Sequence, residues 1–115
     1  MKYDVFTSAY LSCALWASTD ENGEQLDVYD ASDIAPETLA QMVADCESFQ
    51  DANAEDLAQC DADRAGSDFW LSRNGHGAGF FDGPYPGDMG DRLQRAAKVY
   101  GSVDLYDVDG VIHAS

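Results

Sequence analysis

The sequence predicts a single α+β domain in which two to three helices pack on a small antiparallel β-sheet. Three observations lead there. The chain has 115 residues, 45% of them apolar, which is one domain's length with enough bulk for a core. Apolar residues recur at helical spacing through much of the first 63 positions. The remainder mixes aromatic-rich runs with glycine turns.

Residues 5–18 come first. Phe6, Tyr10, Cys13, Ala14 and Ala17 follow the i, i+4, i+7/i+8 rhythm of a helix. Almost every neighbour is also apolar, Trp16 included, so a mostly buried helix is expected. Asn22-Gly23 with its acidic neighbours makes a loop. Residues 26–34 read equally as a short strand or irregular chain. Pro36 suits a first helical turn, where its missing N–H costs nothing. From there to residue 63, Leu39, Met42, Val43, Cys46, Phe49, Leu57 and Cys60 gather on one arc, with a bend or break expected near Asp51-Ala-Asn53.

In residues 64–115 the expected order is hairpin, helix, hairpin. Asp68-Phe-Trp-Leu-Ser-Arg73 and Ala78-Gly-Phe-Phe-Asp82 are rich in strand formers and flank Asn74-Gly75-His76-Gly77, so a hairpin is predicted over 68–82. Residues 88–100 read as a helix stopped by Gly101. Two strands, 103–108 and 111–113, are then joined at Asp109-Gly110, a pair favoured in type I′ turns.

Charge divides the chain. Twenty-two acids face six Lys and Arg, for a net charge of −16. Residues 1–63 hold 15 acids and one base, Lys2, whereas residues 64–115 hold seven acids and five bases. Such a chain repels nucleic acid and anionic membrane and attracts basic partners. The N-terminal residues lack a signal-peptide pattern and no apolar run is long enough to span a bilayer, so a cytoplasmic protein is expected. The sequence leaves the oligomeric state open.

No catalytic or cofactor motif stands out. Cys13, Cys46 and Cys60 are too widely spaced for a zinc site and read as reduced, buried thiols. His76 falls in a turn and His113 near the C-terminus, with no partner marking either as a base. Asp104, Asp107 and Asp109 miss the calcium-loop pattern and read as strand ends and a turn. Gly75-His-Gly-Ala-Gly79 precedes no helix of the kind that binds phosphate. Neither an enzyme, a metal nor a cofactor is expected.

The acids themselves are the candidate site. Glu47, Asp51 and Glu55 are like-charged neighbours four apart, and no Lys or Arg lies between residues 3 and 63 to relieve them. Carboxylates four apart on a helix rise about 6 Å, a coarse copy of a phosphate row whose steps rise about 3.4 Å. The expected partner-binding residues are Glu47, Asp51, Glu55, Asp56 and Asp61, with Asp27, Asp30 and Asp33 as a second patch.

Three stretches resemble one family of small acidic proteins encoded by bacteriophages and prophages. They are Asp68-Phe-Trp-Leu-Ser-Arg-Asn-Gly-His-Gly-Ala-Gly-Phe-Phe-Asp82, Gly90-Asp-Arg-Leu93 and Tyr100-Gly-Ser-Val-Asp-Leu-Tyr106, and the acidic Asp33-Ile-Ala-Pro-Glu37 looks similar too. The resemblance implies a phage accessory protein and supplies no catalytic residues. Joined to the charge, it raises the expectation of an anti-CRISPR protein acting as a DNA mimic. Its partner would be a basic host defence complex, a CRISPR surveillance complex before a restriction enzyme. The other expectation is a phage binding module that is no mimic, using Phe69, Trp70, Phe80 and Phe81 as its contact surface.

Overall fold

Five helices and one two-stranded antiparallel sheet make up the fold in a computed structural model, which describes residues 3–19, 23–75 and 79–114. His76 lies outside the described residues. The chain is thus more helical than its sequence suggests.

Helix α1 (Val5–Ala17) starts where the Asp4 carboxylate accepts the Thr7 backbone N–H at 2.7 Å. Single 3₁₀ turns at Leu26–Val28 and Ala31–Asp33 then resolve the ambiguous stretch as neither strand nor shapeless loop. Helix α2 (Pro36–Ala52) has Pro36 in its first turn and buries Thr38, Met42, Cys46 and Phe49. It ends at Asn53, whose side-chain amide and backbone N–H both donate to the Phe49 carbonyl. The short helix α3 (Ala54–Leu57) follows, so the expected break falls inside the expected segment.

The predicted hairpin over 68–82 is corrected by helix α4 (Ala62–Asn74). Asp61 caps its start by accepting the Arg64 N–H, and Gly75 ends it in the left-handed conformation at φ 65°. Phe69 and Trp70 are strand formers by propensity. They sit in a helix because the surrounding positions place Ala65, Phe69, Ser72 and Arg73 on one buried face. Gly66 is required there, since a Cβ would collide with the Phe6 carbonyl oxygen of α1. The two helices therefore cross with their backbones nearly touching. A third 3₁₀ turn, Phe80–Asp82, replaces the expected second strand, and the Phe80 N–H donates to Ser72 Oγ at 3.0 Å.

Helix α5 (Met89–Lys98) and the hairpin of β1 (Leu105–Val108) and β2 (Val111–Ala114) fall where the sequence places a helix and two strands. Leu105 pairs with Ala114 and Val108 with Val111. Asp109 and Gly110 both have positive φ, 53° and 85°, as a type I′ turn requires. The hairpin is held to the body by the Ala35 N–H, which donates to the Ile112 carbonyl at 2.8 Å, and by Tyr29, whose hydroxyl donates to Asp107 at 3.0 Å.

The core is aromatic. Phe49 stacks on Phe69 at 4.2 Å between centroids, and Phe6, Tyr10, Phe80 and Tyr100 pack around this pair. Such ring pairs add about 0.5–1.5 kcal/mol each beyond their buried area. They join α1, α2, α4 and the turn at Phe80 into one cluster. Trp16, expected in the core, is instead 61% exposed, while Trp70 is 1% exposed.

Candidate functional site

Helix α2 buries one face against the aromatic cluster, Asp45 turns to Arg73, and the opposite face carries the other acids outward. Glu37, Glu47 and Asp51 are exposed on that face, and Glu55 is exposed on α3 just beyond the break. None of these four carboxylates has a cationic partner among the described residues. Elsewhere in the fold three arginines are each engaged with an acid.

Arg73 is the most enclosed of them, its side chain 3% exposed. Its Nη1 donates to Asp45 at 2.9 Å and to the Tyr10 hydroxyl at 3.0 Å, while Nε and Nη2 donate to the carbonyls of Gly101 and Tyr100. Its guanidinium also lies over the Phe69 and Tyr100 rings. Burial pushes the Tyr10 hydroxyl's pKa above its ordinary value, against the opposing pull of Arg73. Arg64 donates to the buried Asp68 at 3.0 Å, and the Tyr85 hydroxyl donates to the same carboxylate oxygen at 2.6 Å. Arg92 grips Asp56 through Nη2 at 2.8 Å and Nε at 3.2 Å, which holds Asp56 below its usual pKa range.

The eight sequence-predicted acids consequently divide. Glu47, Asp51, Glu55 and Asp27 are exposed with no ion-pair partner among the described residues. Asp56 closes the ion pair to α5, and Asp61 caps α4. Asp30 and Asp33 form a reciprocal capping box around the second 3₁₀ turn, and the Ser32 hydrogen bonds lower the pKa of Asp30. Four of the eight thus hold the fold as well as adding to the field.

The two patches also have different neighbours. Asp27 and Asp30 line an open groove of about 900 Å³ beside α1, together with Asp63 of α4, Leu15, Trp16 and Leu71. No residue of α2 or α3 lines it. The groove was not legible in the sequence, because three segments far apart in the chain build it. Its best signal was a large aromatic, Trp16, in a helix with more apolar positions than a core can cover.

The remaining reactive groups are occupied with structure. Burial raises the Cys13 thiol to about 11 and pushes Cys46 further up, and Cys60 is also raised, so none is poised as a thiolate near neutral pH. Cys13 and Cys46 are buried as expected, whereas Cys60 is half-buried. Asp107 accepts the Gly110 N–H and so pins the turn that the calcium pattern failed to explain. His113 stacks on Tyr106 across the hairpin. Among the described residues, no three His, Cys, Asp or Glu side chains converge as a metal site, and no helix is long and apolar enough to cross a membrane. Phe69, Trp70 and Phe80, the aromatics of the alternative contact surface, are buried, leaving only Phe81 half-exposed.

Comparison with known proteins returned no matching family model, no matching curated protein and no matching solved structure.

Proposed function

We propose that this chain is a DNA-mimicking inhibitor that occupies the basic DNA groove of a bacterial defence complex. The reading rests on one observation above all: Glu37, Glu47, Asp51 and Glu55 face outward with no ion-pair partner among the described residues, although three arginines elsewhere are each matched to an acid. A helix packed on an aromatic core presents the first three of these charges, and the short α3 just beyond it presents Glu55. A groove lined with Lys and Arg would release its condensed counterions to them much as it does to DNA. Asp56 and Asp61 strengthen the field from positions they also need for folding. The preferred target is a CRISPR surveillance complex, with a restriction enzyme second, in the cytoplasm of the bacterium that a phage infects. No chemical step is involved: inhibition is steric and electrostatic.

The buried positions of Phe69, Trp70 and Phe80 favour this reading over an aromatic contact surface. The test is competition in a gel shift, with labelled duplex DNA and a panel of surveillance complexes and restriction enzymes. One complex should lose its DNA at physiological salt with saturable stoichiometry, and Glu47→Lys/Asp51→Lys/Glu55→Lys should restore DNA binding. Displacement of every basic protein alike, or only at low salt, would reduce the charge to a generic property and end the proposal.

A further inference from the structure

We infer that the groove beside α1 is a docking site for a basic amphipathic helix of a protein partner, separate from the acid row on α2. Two features combine there. Trp16 is 61% exposed in it, beside buried Leu15 and half-buried Leu71, so its indole ring stands uncovered at an apolar floor. Asp27, Asp30 and Asp63 line the same groove, and no Lys or Arg does among the described residues. A solvated acidic patch has no use for an uncovered tryptophan. An apolar cleft made for a neutral peptide has no use for three carboxylates at its rim.

Together they match one ligand chemistry: a helix with Leu- or Phe-type anchors along one stripe and Lys or Arg flanking it. This is the helix-in-groove mode, in which spaced anchors enter the cleft while flanking charges set orientation. Trp is among the residues enriched as energetic anchors of interfaces. The groove's volume of about 900 Å³ is open to one side and comparable with about two turns of a helix 10–12 Å across. The acids around it are not all committed to the fold: the Asp27 and Asp63 carboxylates have no hydrogen-bond or ion-pair partner among the described residues, and Asp30 accepts the Ser32 N–H and hydroxyl on one oxygen, leaving the other. The partner's basic side chains would meet them without first breaking an internal pair.

The site is independent of DNA mimicry, since it takes nothing from α2 or α3, and either can fail alone. The probe is a synthetic helical peptide of about 18 residues with a Leu stripe and a Lys face. Fluorescence reads it directly, because Trp16 is exposed and the second tryptophan, Trp70, is buried. Addition of the peptide should shift emission to the blue, and Trp16→Phe should abolish the shift. Asp27→Asn/Asp30→Asn/Asp63→Asn, in which Asn preserves the cap at position 30, should weaken binding at least about tenfold at physiological salt. The same charge removed at Asp91, Asp104 and Asp109, outside the groove, should weaken it less than about twofold. Circular dichroism establishes that each variant is folded. Equal loss from both triple variants would reduce binding to general attraction and overturn the proposal. So would the absence of a shift, undiminished binding by a Leu/Gln peptide, or a concentration-dependent shift without peptide, which would give the groove to a second copy of this chain.

Discussion

Helices α4 and α2 handle charge in opposite ways. Helix α4 buries Asp68 and Arg73, and each has partners: Asp68 has Arg64 and Tyr85, and Arg73 has Asp45, Tyr10 and two carbonyls. Helix α2 leaves Glu37, Glu47 and Asp51 outside, with no cation near them among the described residues. Charge in the first helix fixes the fold, because a buried ion left unpaired is costly. On the second, only Asp45 serves the fold, as the partner of Arg73, while Glu47 and Asp51 repel one another across one turn. The described carboxylates thus include some that hold the fold and others left to solvent.

The sharpest way to break that contrast is at Arg73. Arg73→Met keeps much of the side chain's length but strands Asp45 and the carbonyls of Tyr100 and Gly101. It should lower stability by about 3–5 kcal/mol, read from urea unfolding. Asp45→Asn should cost clearly less, because Arg73 keeps its carbonyl partners and Asp45 is the more solvated of the two. A loss no larger for Arg73→Met than for a typical surface substitution would mean that the network merely decorates α4.

A milder test concerns Asp4, an exposed acid that belongs with the fold-holding population. Its burial raises its pKa, but the Thr7 hydrogen bonds, helped by Gln50, outweigh this and leave it below the ordinary value of 3.8. A lowered folded pKa means that the stabilisation is fully present above the unfolded value and is lost as pH falls through the folded one. Thermal unfolding should therefore lose part of its stability below about pH 4. Asp4→Asn should flatten that dependence while retaining the cap, and Asp4→Ala should cost about 1 kcal/mol at neutral pH. An unchanged acid profile in Asp4→Asn would remove Asp4 from this group.

The same division explains what was legible beforehand. Outward placement of Glu47 and Asp51 follows from the spacing of Met42, Cys46 and Phe49, a local property of one helix. The turn at Asp109-Gly110 was equally local, since few residue pairs take positive φ twice in succession. The engagement of Asp56 was not, because its partner Arg92 lies 36 residues on. Helix α4 was missed for a related reason. Phe69 and Trp70 prefer strands when judged alone, whereas the helix is fixed by the Asp61 cap and by contact of Gly66 with α1. The break in charge at residue 63 also cut across this helix's first turn, so that its periodicity was divided between two readings. The groove needs three segments to be folded before it exists at all.

The smallest effect is the most telling about α2. Asp51 sits in the last turn of that helix, where the helix dipole presents its negative end and an acid is unfavourable. Glu47 lies one turn before it, adding like-charge repulsion. Asp51→Lys should reverse both terms, since a cation suits the C-terminal turn and Glu47 would then precede Lys at the favoured i, i+4 spacing. The expected gain is about 0.5–1 kcal/mol, larger at low salt and shrinking as salt screens the charges. The same variant should weaken competition for a DNA-binding groove. Both outcomes together would mean that an acid disfavoured by the fold serves a partner. A gain in stability with undiminished competition would instead leave Asp51 as surface charge and move the contact along the row to Glu37 and Glu47.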